Sequence, residues 1–234
     1  MKKNILIPKE TRESVVSYCN NHIVPDDDYI ENPMHNHPIE WFMDYFSFIP
    51  DNALQKYLAE AYYQARFVYK IMQGLHLTSF KKTAFLKFQI QQYASIYEAL
   101  LDFILETYHR NEIAESILKA EEYRPVPAFS NNTELSITMN SRNEKVHPCI
   151  KKYGKRPLKT VKIDDRTNTG VALGIIDLSI KEALDALYDL RNNIHLLKAA
   201  EANYRPTIKE CEGAFRLMPK IVDQIKSHIA SLNQ

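Results

Sequence analysis

Apolar residues return at three- and four-residue steps over several long stretches of this chain, the repeat that puts side chains on one face of an α-helix. Leu54, Leu58, Ala61, Tyr62, Ala65, Val68 and Met72 form one such face. Asp51 stands ahead of it as a good N-cap and Gly74 at its end, so the pattern predicts a helix of five or six turns. A second stripe, from Phe85 and Phe88 through Ile90, Tyr93, Ile96, Tyr97, Leu100 and Leu101 to Ile104 and Leu105, is wide enough for a helix near the centre of a bundle. Thr78 or Ser79 can cap that helix, which should run from about Phe80 to Tyr108. A further helix should begin at Asn111 and end before Arg124-Pro125, where the residue ahead of a proline disfavours helix.

Two regions break the pattern. Residues 1 to about 38 read as irregular, with Pro25, the run Asp26-Asp27-Asp28, Pro33 and Pro38 as breakers, followed by a short apolar segment from Glu40 to Phe48. Residues 124–168 contain Pro125, Pro127, Pro148 and Pro157 and two short alternating runs, Glu134 to Met139 and Leu158 to Ile163, and read as a loop or a small β-hairpin. Helical periodicity returns at about Thr169. One helix should end near Asp177, the next should span Ile180 to Leu197 with Ser179 as cap, and the last should start at Pro206 and run to about Ser231. The chain therefore reads as an all-α, up-and-down helical bundle over residues 51–234, with an N-terminal extension over 1–50 and the insertion at 124–168.

Composition supports helices and narrows the chemistry. Only 5 glycines stand among 234 residues, against 14 tyrosines and 10 phenylalanines. That scarcity argues against Rossmann and P-loop folds, which need glycine for tight turns and close backbone approach to phosphate. A net charge of +1 excludes a polycation built to coat nucleic acid, so any electrostatic footprint must be local. Cys19, Cys149 and Cys211 are scattered and lack CxxC spacing, as expected of reduced thiols in a cytoplasmic protein. The apolar run after Lys2-Lys3 is too short for a signal peptide, and no stretch is long enough to span a bilayer, so no membrane partner is expected.

The segment Leu187-Tyr188-Asp189-Leu190-Arg191-Asn192-Asn193-Ile194-His195-Leu196-Leu197 carries the most chemistry. Leu187, Leu190, Ile194 and Leu197 would form its buried seam, and Arg191 and His195, four apart, would lie one above the other on the neighbouring stripe. Histidine can move a proton to or from a ribose 2′-hydroxyl or a leaving oxygen near neutral pH. Arginine can clamp a phosphate and stabilise its developing charge, and the Asn192 amide can orient either group. On its own, so short a spacing is commonest as a surface pair or as hydrogen-bonded groups at a packing face.

The segment resembles the signature helix of the HEPN superfamily, most closely members reading Leu-Arg-Asn-x-Ile-His. Ala94-Ser95-Ile96-Tyr97-Glu98-Ala99-Leu100-Leu101 is similar to the early HEPN helix, whose glutamate and paired leucines face the bundle. The resemblance covers about residues 80 to 230. Only three residues separate Arg191 from His195, and Tyr188 stands where related sequences have an earlier arginine. The resemblance implies a helical bundle that dimerises and brings two signature helices to one cleft. It also implies a metal-independent endoribonuclease, or ribonuclease-like toxin or defence protein with an antitoxin or defence partner, using Arg191, Asn192 and His195 and no cofactor. The alternative within the family is a non-catalytic interaction or dimerisation module.

Weaker readings concern RNA binding and metals. Residues 142–162 carry Arg142, Lys145, Lys151, Lys152, Lys155, Arg156, Lys159 and Lys162 against Glu144. Lys151, Lys152, Lys155 and Arg156 could guide RNA phosphates, with Tyr153 available to stack on a base and Tyr188 as a further RNA contact, or the run could be a solvated basic loop. His35-x-His37, near His22 and Asp26 to Asp28, has ligand residue types but no regular framework, so no metal site is expected.

Overall fold

A computed structural model describes residues 8–23, 38–126, 137–139, 144–146 and 149–232. The described chain is mostly helical and divides into two compact units, one from residues 1–101 with 170–234, the other from residues 102–169.

In the first unit, α1 (Lys9–Asn21) and α2 (Pro38–Tyr45) precede α3 (Asn52–Gly74) and the first part of α4 (Ser79–Tyr108). The unit is completed by the end of α6 (Ile163–Ala172), then α7 (Leu178–Asn193), α8 (Leu196–Glu201) and α9 (Ile208–Leu232). Asp51 caps α3 as its sequence predicts, its carboxylate accepting from the Ala53 and Leu54 amides at 2.9 and 3.2 Å. Such a cap contributes about 1 kcal/mol. Leu58, Tyr62, Ala65 and Met72 of α3 are buried. They meet a core from α4 in which Ile90, Tyr93, Ile96, Tyr97, Leu100 and Leu101 are almost fully enclosed. The Tyr97 hydroxyl donates to the Ala214 carbonyl of α9, which satisfies a polar tip the core would otherwise strand.

Residues 8–23 and 38–50 are not an appendage to this unit. Cys19, Ile23, Phe42, Phe46 and Ile49 are all buried. The Phe42 ring of α2 packs edge-on to α3, with Phe42 and Tyr62 centroids 5.1 Å apart. Gln55 donates to the Met43 carbonyl at 2.8 Å. The expected irregular stretch also contains α1, whose polar sequence lacks an apolar stripe because Cys19 is its one buried residue.

The second unit holds the end of α4, the short α5 (Arg110–Glu115), strands β1 (Lys119–Pro125), β2 (Ile137–Met139), β3 (Glu144–Val146) and β4 (Cys149–Lys155), a 3₁₀ turn at Leu158–Thr160 and the start of α6. Strand β1 pairs antiparallel with β4, Lys119 opposite Lys155 and Pro125 opposite Cys149, while β2 pairs with β3. The helix expected from Asn111 therefore stops at Glu115, and the sheet begins earlier than residue 124. Leu158 to Ile163, read as hairpin or loop, forms the 3₁₀ turn and enters α6. Arg166 ties this unit together. Its Nη1 meets both Asp102 oxygens at 2.8 and 2.9 Å, and Nε and Nη2 donate to the Val161 carbonyl. Arg166 is buried and Asp102 is 27% exposed, so loss of the Asp102 carboxylate, which would leave the buried cation short of counter-charge, costs about 3 kcal/mol.

Among the described residues, no helix is long and apolar enough to cross a membrane.

Candidate functional site

Helix α7 starts at an Asp177 cap, whose carboxylate accepts from the Ile180 amide at 2.8 Å and the Ser179 hydroxyl at 2.7 Å. Ser179, the residue expected to cap, instead supports the cap. Ile180, Leu184, Leu187 and Tyr188 then turn inward at helical spacing. This anchors the face beside them, which carries Arg191 and Asn192.

Arg191 reaches α4. Its Nη1 lies 2.8 Å from a Glu98 carboxylate oxygen, and both side chains are about one-third exposed, at 35% and 30%. The guanidinium also lies 5.8 Å from the Tyr188 ring centroid. Among the described residues, Nε and Nη2 make no hydrogen bond, so one edge of the fork is held by protein and the other is open. The two segments whose sequences drew notice, around Glu98 and around Arg191, are thus in direct contact. Tyr188 is a correction to the RNA-binding reading. It is 6% exposed and its hydroxyl donates to the Ala94 carbonyl at 3.0 Å, so the ring packs the helices and cannot stack on a base.

A second correction concerns the helix itself. The expected helix to Leu197 ends at Asn193, and His195 is the N-cap that precedes α8. Ile194 stays in the right-handed region (φ −81°, ψ −8°), and its amide bonds the Leu190 carbonyl. His195 has a helical φ of −64° but an extended ψ of 136°. A residue's Cβ is placed by the dihedrals before it and by its own φ, while its ψ steers only the residues after it. The Ile194 ψ of −8° already departs from the helical value of about −42°, so His195 leaves the regular path of α7 and stands as the N-cap of α8. What the break moves is the seam beyond it: Ile194 is buried, but Leu197 is 80% exposed. His195 and Asn192 are exposed, and neither side chain has a hydrogen bond among the described residues.

The basic residues fall in the second unit. Lys151 is 2.6 Å from Glu121, and that carboxylate and the Tyr153 hydroxyl raise its pKa above the ordinary lysine value. Arg156 donates from Nε to the Ile117 carbonyl at 2.9 Å and lies 3.8 Å from Asp165, which makes it a brace of the chain and not a free phosphate guide. Lys152 stands opposite Glu122, and Lys155 opposite Lys119. Strand alternation puts Lys151, Tyr153 and Lys155 on one face with Lys119, Glu121 and Tyr123. Tyr123 and Tyr153 are 63% and 60% exposed there. Lys119 and Tyr123 are absent from the sequence-derived set because only the strand register brings them to this face.

Among the described residues, no three His, Cys, Asp or Glu side chains cluster as a metal ion would require. His35, His37 and Asp26 to Asp28 lie outside the described residues, as do Arg142 and the first three residues of the Glu134 to Met139 run. No protein-family model, curated protein or solved structure matches the chain, so any assignment rests on its own residues.

Proposed function

We propose that the chain is a HEPN-like helical protein that cleaves RNA without a metal ion, through Arg191 and His195. The observation that carries this reading is the Glu98–Arg191 ion pair, which orients the guanidinium while leaving its Nε and Nη2 edge without a hydrogen-bond partner among the described residues. His195 stands four residues on, past the end of α7, exposed and unencumbered by side-chain hydrogen bonds among the described residues. In the proposed reaction the His195 imidazole accepts the 2′-hydroxyl proton as the 2′-oxygen attacks the adjacent phosphorus. The bond from phosphorus to the 5′-oxygen breaks, and an imidazolium returns a proton to that oxygen. Arg191 stabilises the charge on the non-bridging oxygens, and Asn192 orients the phosphate or the ring. The products are a 2′,3′-cyclic phosphate and a 5′-hydroxyl. A homodimer would place two such imidazoles in one cleft, one for each proton transfer.

A substrate lacking the attacking group tests this chemistry. Oligoribonucleotides cleaved in excess EDTA should become resistant when the nucleotide on the 5′ side of the cut is replaced by its 2′-deoxy form. Cleavage of the deoxy-substituted strand at the same position would overturn the mechanism.

One observation favours a second reading, a non-catalytic HEPN-like interaction or dimerisation module. Leu197, two residues past His195, exposes 80% of its surface, as an apolar contact for another protein would. In that case Arg191 and Glu98 serve packing and partner choice, and no RNA is cut.

A further inference from the structure

A second cluster in the first unit has no part in the stripe around Arg191. Arg66, on α3, is only 8% exposed. Its Nε donates to the Ile23 carbonyl at 3.0 Å, and its guanidinium carbon lies 4.3 Å from the Phe215 ring centroid. Among the described residues it has no carboxylate within ion-pair distance, and Nη1 and Nη2 have no hydrogen-bond partner. Neither nitrogen is sealed from open space. A buried guanidinium without a counter-charge is costly, because it has left water and gained no anion in return.

Arg66 faces a cavity of about 190 Å³, well above the roughly 10–15 Å³ that admits one water. Arg216 of α9 also lines it, exposed and without an ion pair or hydrogen bond among the described residues. The one carboxylate in the wall, Glu212, accepts a hydrogen bond from the Tyr69 hydroxyl at 3.1 Å. Tyr93 and Cys211 complete the inner wall and are neutral, since burial pushes the tyrosine well above its ordinary value and the thiol up to about 12. Two arginines against one carboxylate in the lining leave the space positive, one arginine coming from α3 and the other from α9.

We propose that this cavity binds a phosphate group between the Arg66 and Arg216 guanidiniums. A tetrahedral phosphate offers acceptors in several directions and can engage two forks at once, whereas a planar carboxylate is satisfied by one. The site is independent of the RNA-cleaving reading and stands whether or not that reading holds.

Isothermal titration of the full chain at fixed ionic strength tests it, with inorganic phosphate, AMP and acetate as separate probes. Saturable binding of phosphate or AMP is expected in preference to acetate, weakened about tenfold or more in Arg216→Gln and in Arg66→Lys. Tighter binding of AMP marks a phosphomonoester as the natural source, and equal binding marks free phosphate. Absence of saturable binding by either probe, or wild-type affinity in Arg216→Gln, overturns the proposal. Because Arg216 is exposed, that variant remains informative even where Arg66→Lys fails to fold.

Discussion

Arg191 gives Nη1 to Glu98 and keeps Nε and Nη2 free of partners among the described residues. That division separates a structural from a functional contribution. The ion pair is about one-third exposed, so solvent screens it and its net worth to stability is about 0.5 kcal/mol. Its worth to a reaction would be larger, because an oriented donor requires no reorganisation as charge develops on phosphate. Glu98→Gln should therefore shift the melting temperature by no more than about 2–4 °C, as thermal unfolding would record. The same substitution should lower the RNA-cleavage rate at saturating substrate by about tenfold. A large loss of stability with unchanged cleavage would instead make Glu98 a packing residue.

At the scale of elements, helix α7 is defined by its ends. Asp177 caps its start and also joins it to α9, exchanging hydrogen bonds with Gln224 through its own amide and carboxylate. The Ile180 amide, the Ser179 hydroxyl and the Gln224 amide all favour the ionised carboxylate, in that order, and lower its pKa below 3.8. A depressed folded-state value means that the contribution is fully present above the unfolded carboxylate value and is lost as pH falls through the folded one. Urea unfolding at successive pH values should thus show Asp177→Asn losing less stability than wild type as pH drops below about 3.8, with the difference between them largest above it. The same ends explain what the sequence could and could not disclose. The stripes of α3 and α4, the Asp51 cap and the body of α9 were legible because burial on one face writes a 3.6-residue period into the sequence. Helix α1 writes no such period, with Cys19 its one buried residue. Strand β1, Lys119–Pro125, is largely exposed and charged, so it lacks the alternation of a half-buried strand and reads as more helix. The turn at His195 was hidden for another reason. It depends on the backbone of Ile194 and His195, and the apolar spacing of Leu190, Ile194 and Leu197 continues unbroken through it.

Across the whole chain, the two compact units differ in what holds them. The first rests on an aromatic core in which Tyr62, Tyr93 and Phe215 pack with centroids 6.3 to 6.4 Å apart. The second rests on the pair between buried Arg166 and Asp102 and on a two-stranded β1–β4 ribbon that exposes Tyr123 and Tyr153 among lysines. The proposed reactive group, the proposed phosphate cavity and the Glu98–Arg191 pair all belong to the first unit. Its chemistry is therefore the most direct point of attack, and the decisive comparison is between wild type and His195→Ala. Because His195 is exposed and its side chain bonds nothing among the described residues, its removal should leave the fold and its melting temperature unchanged within about 0.5 kcal/mol. RNA incubated in excess EDTA should be cut by the wild-type chain, and the rate should fall by at least about 100-fold in His195→Ala. An equal rate of cleavage in the two folded proteins would contradict the assignment of His195 as the proton-transfer group.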